Sequence, residues 1–162
     1  MTYVYFHKPN DANGFLSQWY PCKITEGNIV FSSAEQYMMY HKAKLFGDLQ
    51  SAMLIKQENN PAKIKVLGRQ VKGFEEKIWN SKKEDIVLQG NLLKFKQNEK
   101  ILEQFMKYGT NSIFIEASPY DSIWGIGFSA KDAPDKKKLW GQNLLGKILT
   151  KLRSEEFRQN KS

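Results

Sequence analysis

The sequence predicts a mainly helical α+β fold with a few short strands, folded as a single domain over residues 1–162. Three observations carry that expectation. Helical periodicity bracketed by capping residues recurs from Phe31 to Arg158. Only SIFIEAS, Ser112 to Ser118, has the β-branched, apolar character of a buried strand. No repeat, low-complexity tract or linker divides the 162 residues, a length that suits one domain with a real core.

Residues 2–8 (TYVYFHK) alternate as a strand, and Asn10 to Gly14 supplies turn residues. The aromatic stretch GFLSQWYP ends at Pro21, and Cys22 to Val30 reads as a hairpin turning at Glu26-Gly27-Asn28. A helix follows in FSSAEQYMMYHKAKLFGD, Phe31 to Asp48, closed by Gly47. Two capping boxes fit its start: Ser33 with Gln36, or Ser32 with Glu35. Asp48 can cap a second helix over LQSAMLIKQ, and Asn60-Pro61 opens a third that runs to Gly68 or Arg69. After Gly73 the pattern predicts a helical segment from Phe74 to Trp79, then another from Ser81 in which Gly90 permits a close approach. Glu99 to Tyr108 is a short amphipathic helix stopped by Gly109. SPYDSIWGIGF, a lysine-rich loop from Ala130 to Lys138 and a last helix from about Asn143 to Arg158 complete the chain.

With 4 Trp, 7 Tyr and 10 Phe the composition is that of a globular protein, not a disordered one. No apolar run approaches the ~20 residues that span a bilayer. MTYVYFHKPND lacks the basic-then-apolar order of a secretory signal. Cys22 is the sole cysteine, which excludes an internal disulfide and suits a reducing, cytoplasmic compartment. His7, His41 and Cys22 form no metal-ligand pattern, so no metal or other cofactor is expected. Nothing orients Cys22 and His41 as a nucleophile pair. The net charge of +8 favours anionic partners such as phosphates or nucleic acid.

Two stretches can carry chemistry. In the Phe31–Asp48 helix, Glu35 and Lys42 lie seven residues apart, about two turns, and share a face. As a capping partner Glu35 is purely structural; as a pocket acid it stands near an amine. In EASPYDSIWGIG, Glu116 to Gly127, a strand runs out into Asp121, Trp124, Gly125 and Gly127. Glycines around an aromatic let a backbone approach a ligand, and Trp124 can stack on a base; a tight turn with Trp124 as a core plug is the alternative. No P-loop, dinucleotide-binding glycine fingerprint or serine-hydrolase elbow is present.

SAEQYMMYHKAKLFGD (33–48), LGR (67–69), GFEEKIW (73–79), GNLLKF (90–95), EASPYDSIWGIG (116–127) and WGQNLLGKIL (140–149) follow one another as in the NADAR (NAD- and ADP-ribose-associated) family of YbiA-like proteins. GFLSQWYP (14–21) also resembles that family's N-terminal motif, with Gln18 where asparagine is usual. The resemblance covers residues 3 to 153 and implies a compact multihelical fold. It also implies a metal-independent N-glycosidase that hydrolyses a ribose C1–N bond. The implied substrates are ADP-ribose on guanine, in nucleic acid or a nucleotide, or early riboflavin-pathway intermediates carrying ribose 5-phosphate. On this resemblance Glu35, Lys42, Asp121 and Trp124 are expected at the catalytic centre, and Ser17, Trp19, Tyr37, Arg69, Lys94, Gly125 and Asn143 around the substrate.

The residue chemistry agrees. Breaking an N-glycosidic bond builds oxocarbenium character that a carboxylate, Glu35 or Asp121, stabilises. A proton donor helps the base depart. Lys42 can bind phosphate, or act covalently if its amine is desolvated, and Arg69 can clamp a phosphate through parallel donors. Lys94 has a surface lysine, and Asn143 a helix cap, as alternatives. Competing with the glycosidase are a module that binds ADP-ribose or a nucleotide without turnover and a basic nucleic-acid binder with no pocket chemistry.

Overall fold

The computed structural model describes residues 2–159, which form two compact units, residues 18–99 and residues 2–17 with 100–159. Each is built around its own apolar cluster.

In the 18–99 unit, β2 (Ile24–Glu26) and β3 (Ile29–Phe31) form an antiparallel hairpin about Gly27-Asn28, with Glu26, expected in the turn, paired to Ile29 as the last strand residue. Helix α1 (Ala34–Leu45) starts at Ser33, whose side chain accepts from the Gln36 N–H. The Gln36 Oε1 in turn accepts from the Ser32 N–H at 2.6 Å, and its Nε2 donates to carbonyls at the end of the next helix, Ile55 (3.0 Å) and Glu58 (2.6 Å). Of the two capping boxes the sequence allows, the chain uses Ser33–Gln36. Helix α2 (Leu49–Gln57) is capped by Asp48 and α3 (Pro61–Arg69) by Asn60, with proline in its first turn, as expected.

The segments beginning at Phe74 and Ser81 are not separate. They fuse into α4 (Glu76–Gln97), because nothing between Trp79 and Ser81 breaks the backbone ladder. Gly90 sits where a Cβ would come within 2.6 Å of the Tyr37 ring, so its absence lets α4 lie against α1. Ile24, Phe31, Ala34 and Tyr37 form the core.

In the other unit, β1 (Thr2–Phe6) pairs in parallel with β4 (Ser112–Glu116), Thr2 opposite Ser112 and Phe6 opposite Glu116. Helix α5 (Glu99–Met106) precedes β4, and α6 (Leu144–Lys151) packs against it. The last helix is shorter than expected: after Lys151 the chain widens into a π turn, Leu152–Glu156. There the fully buried Arg153 donates from Nε to the Tyr108 carbonyl at 2.6 Å and from Nη1 to the Phe157 carbonyl. The expected lysine-rich loop holds a 3-10 segment, Ala133–Leu139, opened by Pro134. Ile115, Ala117, Ile126 and Ala133 are the buried centre.

Candidate active site

Because Ser33 and Gln36 complete the cap, the Glu35 carboxylate is not consumed by it. Its N–H donates to the Gln18 carbonyl at 2.9 Å, which ties the GFLSQWYP stretch to the mouth of α1. The residue is only 4% exposed, in the first turn where the helix dipole favours a negative charge. Gln18 is anchored in turn: its Oε1 accepts from Asn91 Nδ2 at 2.8 Å, and that amide also donates to the Val87 carbonyl. Gln18 Nε2 and Asn91 Oδ1 are buried without a hydrogen-bond partner within the protein.

Two turns along α1, Lys42 is half-buried. Its Nζ lies 4.7 Å from the Phe74 ring centroid and 5.5 Å from that of Trp79. Burial lowers its pKa; the Glu35 carboxylate opposes that shift and the Arg69 guanidinium reinforces it. Three expected residues, Glu35, Lys42 and Arg69, are therefore in electrostatic reach of one another. Arg69 is exposed in the last turn of α3. Phe74 and Trp79 were not singled out from the sequence. Both lie in GFEEKIW, and an aromatic pair following a Gly73 break was the signal that could have found them.

Other expected residues of this unit are placed differently. Tyr37 lies on the opposite side of α1, where it donates its hydroxyl to Glu26 Oε2 at 2.7 Å beside a His41–Glu26 contact of 2.7 Å. Lys94 is fully buried within α4, not a surface lysine; burial lowers its pKa to about 8, and its Nζ is 5.9 Å from the Tyr20 centroid. Trp19 is half-buried beside Gln18 in sequence.

In the other unit, Asp121, Trp124, Gly125 and Asn143 come together at the end of β4. Asp121 Oδ1 accepts from the Ile123 and Trp124 N–H groups at 2.9 Å each, holding a tight turn. The N–H groups of Asn143, Leu144 and Leu145 donate to the carbonyls of Gly125, Ile123 and Trp124, so the start of α6 is capped by the SIWGIG backbone. Asn143 is the N-cap residue, yet its side chain does not cap. It accepts from the Glu116 N–H and donates to the Phe114 carbonyl, 3.0 Å each, while its backbone adopts φ 53°. At Gly125 a Cβ would stand 2.7 Å from the Glu116 carbonyl oxygen, so the protein's own backbone requires the glycine. Ser17 is buried, its N–H donating to the Gly14 carbonyl at 2.9 Å. Among the described residues no group of three or more His, Cys, Asp or Glu side chains is placed to hold a metal ion.

Sequence comparison adds relatives to this geometry. The model of the NADAR domain family matches residues 5–156. The chain is 45% identical over 165 residues to N-glycosidase R617 of Acanthamoeba polyphaga mimivirus, covering 94% of this chain and 95% of that protein. It is 27% identical to the riboflavin biosynthesis protein VVA0006 of Vibrio vulnificus, over 94% of this chain but 38% of that longer protein. The NMR structure of the E. coli protein YbiA superimposes with a TM-score of 0.78 at 22% identity, over 96% of this chain and 85% of that one.

Proposed function

The chain belongs to the NADAR domain family, and from that premise we propose that it is an N-glycosidase that removes ADP-ribose from guanine by cleaving a ribose C1–N bond. The observation that carries the proposal is Lys42: a half-buried amine with a lowered pKa, flanked by aromatic rings and in electrostatic reach of the buried Glu35. The name of the mimivirus relative supports the reaction class.

In this reading Glu35 cycles one proton. The Lys42 amine, neutral when it attacks, forms a bond to C1 as the C1–N bond to the base breaks, and the departing base nitrogen takes the proton Glu35 delivers. The amine then returns a proton to the carboxylate. The ring C1–O4 bond opens with that proton moving to O4, which leaves a protonated imine between Lys42 and C1. Water adds to it, its spare proton returns to the Glu35 carboxylate, and the neutral amine and the free sugar aldehyde, which recloses, are released. Arg69 holds a phosphate of the substrate and adds to the burial that lowers the Lys42 pKa.

A second reading, cleavage of an early riboflavin-pathway intermediate carrying ribose 5-phosphate, is favoured by the name of the Vibrio relative. The same residues serve it, since the scissile bond and the phosphate are shared. Incubation with a panel containing ADP-ribosyl-guanosine and the riboflavin intermediates, read by mass spectrometry, separates the two. The expected result is free ADP-ribose and guanosine. Turnover of the riboflavin intermediates alone would favour the second reading, and ADP-ribose binding with no turnover of either would overturn both.

A further inference from the structure

The unit of residues 2–17 and 100–159 contains a cleft of about 490 Å³ that Asn143 borders but that Glu35, Lys42 and Arg69 do not line. Its floor is the β1–β4 ribbon, through Tyr3 and Ile113, and one wall is Trp140. Tyr3, Tyr5 and Trp140 form a cluster of rings with centroids 6.1–6.5 Å apart, and all three remain partly exposed. The opposite wall is α6, which contributes Lys147 and Lys151. Four residues apart, these two exposed lysines project from one helix face, a like-charge arrangement that destabilises a helix unless an anion joins them. A third cation comes from the 3-10 segment: Lys137 Nζ stands 4.7 Å over the Tyr3 ring and donates to its hydroxyl. Lys136 and Lys138 flank it, and Glu155 is the one carboxylate among the lining residues.

We propose that this cleft is a binding site for a single-stranded nucleic acid, with a base against Tyr3 and Trp140 and the backbone phosphates on Lys147 and Lys151. Flat rings beside several cations suit that ligand. Bases of any identity stack on aromatic faces, and lysines follow the phosphates. An acidic peptide would use the lysines but leave the rings idle. The excess of positive charge over the chain, +8, acts in the same direction. The site deepens the reading of a guanine-borne substrate, on which it rests for its purpose: its ligand is of the nucleic-acid class in which that guanine occurs.

The test is fluorescence anisotropy with a labelled, unmodified deoxyribonucleotide strand of about eight bases, a usual length for such sites. No turnover is involved, so the result stands whether or not the glycosidase reading does. The double variant Lys147→Gln, Lys151→Gln should bind about tenfold more weakly. Its dependence of log K on log salt should be shallower by about 1.4, since each phosphate contact to a single strand contributes about 0.7. A control, Lys96→Gln with Lys100→Gln, makes the same charge change at exposed positions that do not line the cleft and should lose less than about twofold. Equal loss in both variants, binding unchanged by the cleft variant, or a mononucleotide competing as well as the strand would each overturn the proposal.

Discussion

A carboxylate that a helix does not need for its cap can be changed without unfolding the helix, and Glu35 is such a group. Ser33 and Gln36 satisfy the start of α1, so Glu35→Gln should retain the native circular dichroism spectrum. Turnover should nevertheless fall by more than about 100-fold if the carboxylate acts in the transition state. An equally active variant would reduce Glu35 to a buried structural acid. Lys94 offers a test of burial by pH. Its folded pKa, about 8, lies below that of an unfolded lysine, so between those values the unfolded chain binds the extra proton. Stability therefore rises with pH across that window, by up to about 1.4 kcal/mol per unit, and the contribution is complete only above the unfolded value. Urea titrations of the wild type and Lys94→Met should show this slope in the former and lose it in the latter. Parallel pH profiles would mean that Lys94 is solvated.

At the level of elements, the DSIWG and WGQN stretches form one clasp. The carbonyls of Ile123, Trp124 and Gly125 receive the first N–H groups of α6, and Asn143 clips the end of β4. Asn143→Ala should destabilise the protein by about 3 kcal/mol, two hydrogen bonds plus the cost of a left-handed alanine, and Asn143→Gly by less because it removes the backbone strain. Equal losses in chemical denaturation would show that backbone conformation is not at issue. The same elements mark what the sequence discloses. Local signals were legible: Asp48, Asn60-Pro61 and the Gly27 turn begin or end elements where they were expected. Signals that depend on partners far away in the chain were not. The pairing of β1 with β4 joins residues separated by about 110 positions, and the use of Asn143 as a strand clip requires β4 in place. Arg153 gave no sign in one dimension that it caps carbonyls at Met106 to Tyr108 from a buried position. Of the site, Glu35 and Lys42 were legible through helical spacing. Phe74 and Trp79 were hidden because they lie over the lysine only after α4 has packed on α1.

At the scale of the whole molecule, a family membership established over residues 5–156 meets a local constellation built entirely within residues 18–99. EASPYDSIWGIG and WGQNLLGKIL give the other unit its clasp. The proposal joins the two: a ribose C1–N bond broken by way of the Lys42 amine. Lys42→Arg separates the possible roles, since arginine keeps a phosphate contact and a cation over Phe74 but cannot form an imine. The decisive measurement is borohydride trapping during turnover of ADP-ribosyl-guanosine, followed by peptide mass spectrometry. The account predicts a reduced sugar adduct on Lys42 in the wild type, and neither adduct nor turnover in Lys42→Arg. An active Lys42→Arg enzyme with no trappable adduct would contradict it and leave Lys42 as a phosphate ligand.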